Sequence, residues 1–134
     1  MDTENVRYTL TRDMRIRRRA DYRRIYMRGK RFGNRAGLLY LVKNGSRPIR
    51  IGFVSTKKIG HAFARNRARR LMKEVYRLHR RELKNGYDAV LLAGHFLTEA
   101  TYQEAEKAIL ALWRKAGIME ETKETEAREG HSKA

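Results

Sequence analysis

Residues 63–81 constrain the fold most. At 100° per residue, Ala64, Ala68, Leu71, Met72, Val75, Tyr76 and His79 fall within one arc, and Asn66, Arg69, Arg70, Lys73, Arg77 and Arg80 lie opposite, with Arg67 beside them. Such a helix must bury one face against another layer. Its other face becomes a ladder of cations about 5–6 Å apart from turn to turn. An ordinary solvated helix sets a Glu four residues from many of its bases, yet residues 57–81 hold ten bases and one acid, Glu74. The face is therefore suited to a polyanion.

The flanking segments supply layers for that apolar arc. Residues 20–28 predict a short helix, with Tyr22, Ile25 and Tyr26 on one side, Arg23, Arg24 and Met27 largely on the other, and Gly29 as its C-terminal cap. Gly37–Lys43, the turn dipeptide Asn44-Gly45 and residues 49–56 predict a β-hairpin, which Lys57-Lys58-Ile59-Gly60 ends. After the turn Asn85-Gly86, Tyr87–Ala93 is nearly all apolar and suits a strand buried on both faces. Thr101 and Glu104 form a capping box for a last helix to about Ala116, with Ala105, Ala108, Ile109, Leu112 and Trp113 as its core face. Trp113 is expected to be a packing anchor and His79 a border residue of the core. The expected organisation is a basic arm over residues 1–19, partly flexible, one folded domain over 20–117, and a disordered tail over 118–134.

Charge sets the class of partner. The net charge is +17, but residues 117–134 carry −2, so residues 1–116 carry +19. A second block, residues 7–35, holds twelve bases against Asp13 and Asp21. Arginine outnumbers lysine 22 to 10, which favours forked phosphate contacts and stacking on bases. Tyr22, Tyr26 and Tyr40 beside these bases suit either stacking on unpaired bases or packing in a small core. No cysteine is present, which excludes disulfides, a thiolate metal site and a Cys nucleophile. No apolar run is long enough for a bilayer, so no membrane partner and a cytoplasmic location are expected.

Groups for protein-borne catalysis are missing. His61, His79, His95 and His131 have no ligand spacing, and there is no D-x-D pair, H-E-x-x-H, G-x-S-x-G or Walker loop. No catalytic and no metal-binding residue is expected in this chain.

Lys57-Lys58-Ile59-Gly60, Arg65-Asn66-Arg67 and Arg69-Arg70-Leu71 together resemble the signature of the protein subunit of bacterial ribonuclease P. The likeness runs from about Met14 to Gly117. It implies an α+β, single-domain α-β-β-β-α-β-α sandwich resembling the second domain of the fifth small-subunit ribosomal protein, with a left-handed βαβ crossover. It further implies an accessory subunit of a tRNA-processing endoribonuclease whose chemistry belongs to a catalytic RNA and its Mg²⁺ ions. That ribonucleoprotein removes the 5′ leader of precursor tRNA, and the protein raises affinity for substrate and Mg²⁺. Carried over by position, Tyr22, Tyr26 and Tyr40 would line the leader cleft, and Arg65 and Asn66 would touch leader nucleotides. Arg67, Arg69, Arg70 and Lys73 would face the RNA subunit or leader phosphates; Lys57 and Lys58 flank that region, and Arg77 continues the RNA-binding set. The first-helix aromatics are Tyr where the family often has Phe, and Thr56 stands where Ser is usual.

A ribosomal or ribosome-associated RNA-binding protein of the same fold is the alternative reading. A helix-turn-helix DNA reader is disfavoured because a hairpin, not a short helix, is expected before the long helix. A membrane binder is disfavoured because the long helix needs its apolar face for the core.

Overall fold

The computed structural model describes residues 14–120. Seven main elements follow in the order α1 (Arg19–Arg28), β1 (Lys30–Asn34), β2 (Gly37–Lys43), β3 (Arg50–Val54), α2 (Ala62–His79), β4 (Tyr87–Ala93) and α3 (Tyr102–Ala116), with single-turn 3-10 segments between some of them. This is the α-β-β-β-α-β-α order that the resemblance implies. The strands form one sheet in the order β1-β2-β4-β3. β1 pairs antiparallel with β2, and β2 antiparallel with β4. β3 and β4 run parallel, so β3-α2-β4 is the crossover unit.

The hairpin expected from Asn44-Gly45 does not form. β4 lies between β2 and β3, and the true hairpin joins β1 to β2. The reason is burial. β4 is apolar on both faces and needs a central position, whereas β3 begins with Arg50 and serves as an edge. Residues 44–49 instead arch over the start of β4: the Asn44 N–H donates to the Gly86 carbonyl (2.9 Å) and the Gly86 N–H to that of Arg47 (2.8 Å).

Alternation along the strands sorts side chains into two unequal cores. Leu39 and Leu41 of β2, Ala89, Leu91 and Ala93 of β4, and Ile51 and Phe53 of β3 face the larger one. α2 contributes Ala68, Met72, Val75 and Tyr76 to it, and α3 the predicted Ala105, Ala108, Ile109, Leu112 and a fully buried Trp113. The capping box of Thr101 and Glu104 forms as expected. His79 is the predicted border residue: its ring nitrogens meet Glu82 (2.8 Å) and, on α3, Glu106 (2.7 Å). On the opposite sheet face α1 covers a small cluster of Ile16, Ile25 and Val90 with Tyr22, Tyr40, Val42 and Val54.

Both ends of the domain reach beyond the boundaries expected from sequence. Residue 15 bridges in parallel to Ile51, extending the β3 edge; Ile16 is buried, and Tyr76 donates its hydroxyl to the Met14 carbonyl (2.7 Å). Residues 14–16 are thus docked rather than part of an arm, because an open sheet edge and an apolar Ile16 can be satisfied together. After α3, Gly117 adopts a left-handed cap (φ 83°), which returns the chain so that Ile118 and Met119 are buried. Arg19, also expected in the arm, opens α1, and residues 1–13 of the expected arm and 121–134 of the expected tail lie outside the described residues.

Candidate nucleic-acid interface

The aromatic part of the interface is built on a row of residues across the sheet. Register aligns Gly52 of β3, Val90 of β4, Tyr40 of β2 and Arg31 of β1. All four point to the α1 side, by alternation with the core positions next to them. On α1, Tyr22 and Tyr26 are four residues apart and share one flank. Tyr26 meets Tyr40 edge-on (ring centroids 4.9 Å apart) and lies 6.5 Å from Tyr22. The structure therefore brings the three predicted tyrosines together. They are only partly covered, Tyr26 being 37% exposed, so the cluster packs below and offers ring surface above. Burial raises the pKa of both Tyr22 and Tyr26 above the ordinary phenol value, so their hydroxyls stay protonated and can donate.

Gly52 makes this arrangement possible. A Cβ there would lie 2.5 Å from the Tyr22 hydroxyl oxygen and 2.8 Å from its ring. That ring cannot yield freely, because its hydroxyl donates to the Ile16 carbonyl (3.2 Å). We expect Gly52→Ala to cost about 1–3 kcal/mol through overpacking, measured by urea denaturation, and to displace Tyr22 from the cluster. Unchanged stability would show that Tyr22 moves aside without penalty.

The cationic part lies on α2, joined to the aromatic part at one point. Ser55, directly after β3, donates its hydroxyl to the Arg65 carbonyl (3.0 Å), holding the first turns of α2 against the strand end beside Val54. Asn66 and Arg70 are exposed, and Arg65, Arg69 and Lys73 are partly so. Arg69 donates to the Asn66 side-chain carbonyl, so these two form a unit. Lys57 and Lys58 are exposed on the 3-10 turn before the helix, whose first turn carries no acid. The Lys73 pKa is lowered, by burial first and then by the charges of Arg15 and Arg69. The same Arg15 charge also acts on Tyr22, so it reaches both the tyrosine cluster and the helix ladder.

Two predicted bases have other partners within the fold. Arg67 donates to the Leu97 (3.2 Å) and Ala100 (2.6 Å) carbonyls, pinning the loop before α3 to α2. Arg77 forms a forked pair with Glu74 (3.0 and 2.5 Å). The ladder therefore centres on Arg65, Asn66, Arg69, Arg70 and Lys73.

Sequence reasoning did not find the polar centre on the other flank of α1. Asp88, inside β4, is fully buried. It accepts a forked pair from Arg50 (3.0 and 2.6 Å), one bond from Arg24 (2.7 Å) and one from the Asn44 amide (2.9 Å). Burial alone would raise its pKa; the bonds from Arg50, Asn44 and Arg24 outweigh this and hold it at about 2. The signal available was an acid within an otherwise apolar strand, which must find cationic partners.

This architecture, with an aromatic cleft beside a helix of uncompensated bases, defines a basic α+β protein of the nucleic-acid-binding class. A family profile described as Ribonuclease P matches residues 10–117. The chain belongs to that family. It is 36% identical over 105 residues to the ribonuclease P protein component of Alkaliphilus oremlandii, covering 78% of this chain and 92% of that one. Against the component from Clostridium botulinum strain Langeland it is 40% identical over 108 residues, covering 80% and 97%. Among solved structures it is similar to the RNase P protein of Staphylococcus aureus, with a TM-score of 0.71, 25% identity and coverage of 79% and 97%. It is also similar to that of Thermotoga maritima, with a TM-score of 0.68, 27% identity and coverage of 75% and 96%. Among the described residues no helix is long and apolar enough to cross a membrane.

Proposed function

We propose that this chain is the protein subunit of a cytoplasmic ribonuclease P ribonucleoprotein, and that it assists a catalytic RNA in removing the 5′ leader of precursor tRNA. The observation that carries the reading is the junction at Ser55 and Arg65, which sets the tyrosine cluster beside the cationic helix. A single-stranded leader fits such a junction: bases stack on Tyr22, Tyr26 and Tyr40 while phosphates meet arginines. Arg65 and Asn66 stand at the cleft end of α2, and Arg69, Arg70, Lys73, Lys57 and Lys58 face the RNA subunit or leader phosphates. The chemistry is assigned to the RNA. Mg²⁺ requires oxygen donors that are free to bind it. Asp21 and Asp88 are engaged by arginines, Glu74 by Arg77, and Glu82 and Glu106 by His79. Mg²⁺ is assigned in this reading mainly to the RNA, which the pairing of those carboxylates supports, with the protein raising its effective affinity by adding positive charge at the leader.

Reconstitution tests this. The purified protein alone is expected to leave precursor tRNA intact, and to restore cleavage at low Mg²⁺ when mixed with its cognate catalytic RNA. Cleavage by rigorously RNA-free protein would overturn the division of labour. The leader contact has its own signature: Arg65→Ala and Asn66→Ala should each weaken binding of leader-bearing substrate by about tenfold, as loss of a charge-assisted contact predicts, and mature tRNA much less. Equal losses for both substrates would mean that these residues only hold the RNA subunit.

A further inference from the structure

Phe63, in the first turn of α2, is 79% exposed, and among the described residues it joins neither hydrophobic core and no ring pair. A lone apolar residue on an ordinary surface needs no explanation. This one stands within the cationic face: Lys57 and Lys58 before it, and Asn66 and Arg70 three and seven residues beyond it, are all exposed. At 100° per residue Phe63 lies about 160° around the helix from Arg65, so the polar face separates it from the tyrosine cleft. Arg67, Arg70 and Glu74 follow on its own flank, at four, seven and eleven residues. There a groove of about 360 Å³ opens between Leu71 of α2 and Tyr102 of α3, with those three side chains on its walls. This flank differs from the ladder in charge. Arg67 is turned to the Leu97 and Ala100 carbonyls, and Glu74, the one acid of residues 57–81, is held ionised by Arg77 and repels phosphate. What the flank offers is an aromatic ring in water at the head of a partly apolar groove.

We propose that Phe63 is a stacking platform for one unpaired base of the catalytic RNA. The inference rests on the reading of this chain as a ribonucleoprotein subunit and adds to it a residue that holds a base rather than a phosphate. A strand drawn to Lys57, Lys58 and Arg70 by its phosphates must place its bases against something, and an exposed ring accepts the face of any base. Neither Glu74 nor the inward-turned Arg67 competes for that role, and the groove beyond gives the strand a wall to run along. The helix, about 10–12 Å across with its side chains, separates this ring from the three tyrosines. A leader seated on the tyrosines therefore leaves Phe63 to the other RNA, and α2 is gripped from opposite flanks. Stacking of this kind carries no charge, so its contribution persists where salt has weakened the ladder.

Titration of the full chain against its cognate catalytic RNA at several salt concentrations tests the platform. Phe63→Ala should weaken assembly by about five- to a hundredfold, the range that loss of one base stack covers, and keep the wild-type slope of log K against log salt. Phe63→Leu stays apolar but has no π-face, and should fall with the alanine variant; Phe63→Trp should bind at least as tightly as the wild type. Because Trp113 is the only native tryptophan and is fully buried, the indole of Phe63→Trp is a separate reporter, and its fluorescence should be quenched as the RNA binds. All three variants should melt as the wild type does, since the ring lies outside both cores. Wild-type affinity in Phe63→Ala, a loss accompanied by an altered salt slope, or an indole that the RNA leaves unquenched would overturn the proposal. So would unchanged assembly with a loss confined to leader-bearing substrate, which gives the ring to the leader, or with loss of self-association in light scattering, which gives it to a second copy of the chain. A wild type that failed to bind the RNA would instead overturn the ribonucleoprotein reading itself, which keeps the two failures apart.

Discussion

Asp88→Asn should lower stability by about 3–5 kcal/mol, because it removes the fully buried carboxylate on which the partly exposed Arg24 and Arg50 converge and leaves them only their longer contacts to Asp21. For a domain of this size, where the whole margin is about 5–15 kcal/mol, that is a large share, and the melting temperature should fall by more than 10 °C. The carboxylate joins four segments: Arg24 from α1, Arg50 from β3, Asn44 from the arch and β4 itself. The side-chain amide keeps the shape and one acceptor but not the charge. A pH dependence separates this from a packing defect. The native pKa of about 2 lies below the ordinary carboxylate value of 3.8, so the folded state binds fewer protons than the unfolded one between those values. The stabilisation is therefore complete above the ordinary value and lost as pH falls from about 4 toward 2. Urea denaturation of the wild type should show this loss, and the variant should show a flatter response over the same window. Parallel pH profiles for the two proteins would show that Asp88 contributes shape rather than charge.

Periodicity was a good guide where burial is one-sided and continuous. α2 and α3 each bury one clean arc, and β4 is apolar but for Asp88, so α2, α3 and β4 appear within a residue or two of the expected bounds. β1 escaped because Lys30–Asn34 is an edge strand with one apolar side chain, Phe32, and a glycine, which leaves no alternation to detect. The misplaced hairpin has a different cause. An Asn-Gly dipeptide reports local turn preference, whereas strand partners are chosen by competition for the central position, which β4 wins. Asn44 is not spent on a two-residue turn; its amide serves Asp88 and the carbonyls of Pro48 and Tyr87.

The site was legible to a similar degree. Spacing on α1 placed Tyr22 and Tyr26 on one flank, but only the sheet register brings Tyr40 to them and sets Gly52 beneath Tyr22. Arg67 shows the limit of charge counting. A base beside the polar arc can turn to backbone carbonyls, and a wheel diagram contains no loop to receive it. The resemblance to a family added what no periodicity supplies, the joint meaning of Lys57, Lys58 and Arg65-Asn66-Arg67.

Removing three ladder charges together, Arg69→Ala/Arg70→Ala/Lys73→Ala, should weaken RNA binding by about a hundredfold at 0.1 M salt while leaving the fold intact. The size follows from counterion release. Each phosphate contact contributes roughly 0.7–0.9 to the slope of log K against log salt. Between 0.1 M salt and 1 M, where the electrostatic part vanishes, three contacts therefore amount to about 2.1 to 2.7 logarithmic units. The slope itself should fall by roughly 2–3, which is the more discriminating readout, because a misfolded variant would lose affinity without that defined change in slope. None of the three is fully buried, and their only described polar contact is the bond from Arg69 to Asn66, so the melting temperature should move little. It could even rise, since Lys73 is held among the charges of Arg15 and Arg69. A variant that kept the wild-type slope would place the RNA on another surface, and the helix ladder would then be no more than a solvated face.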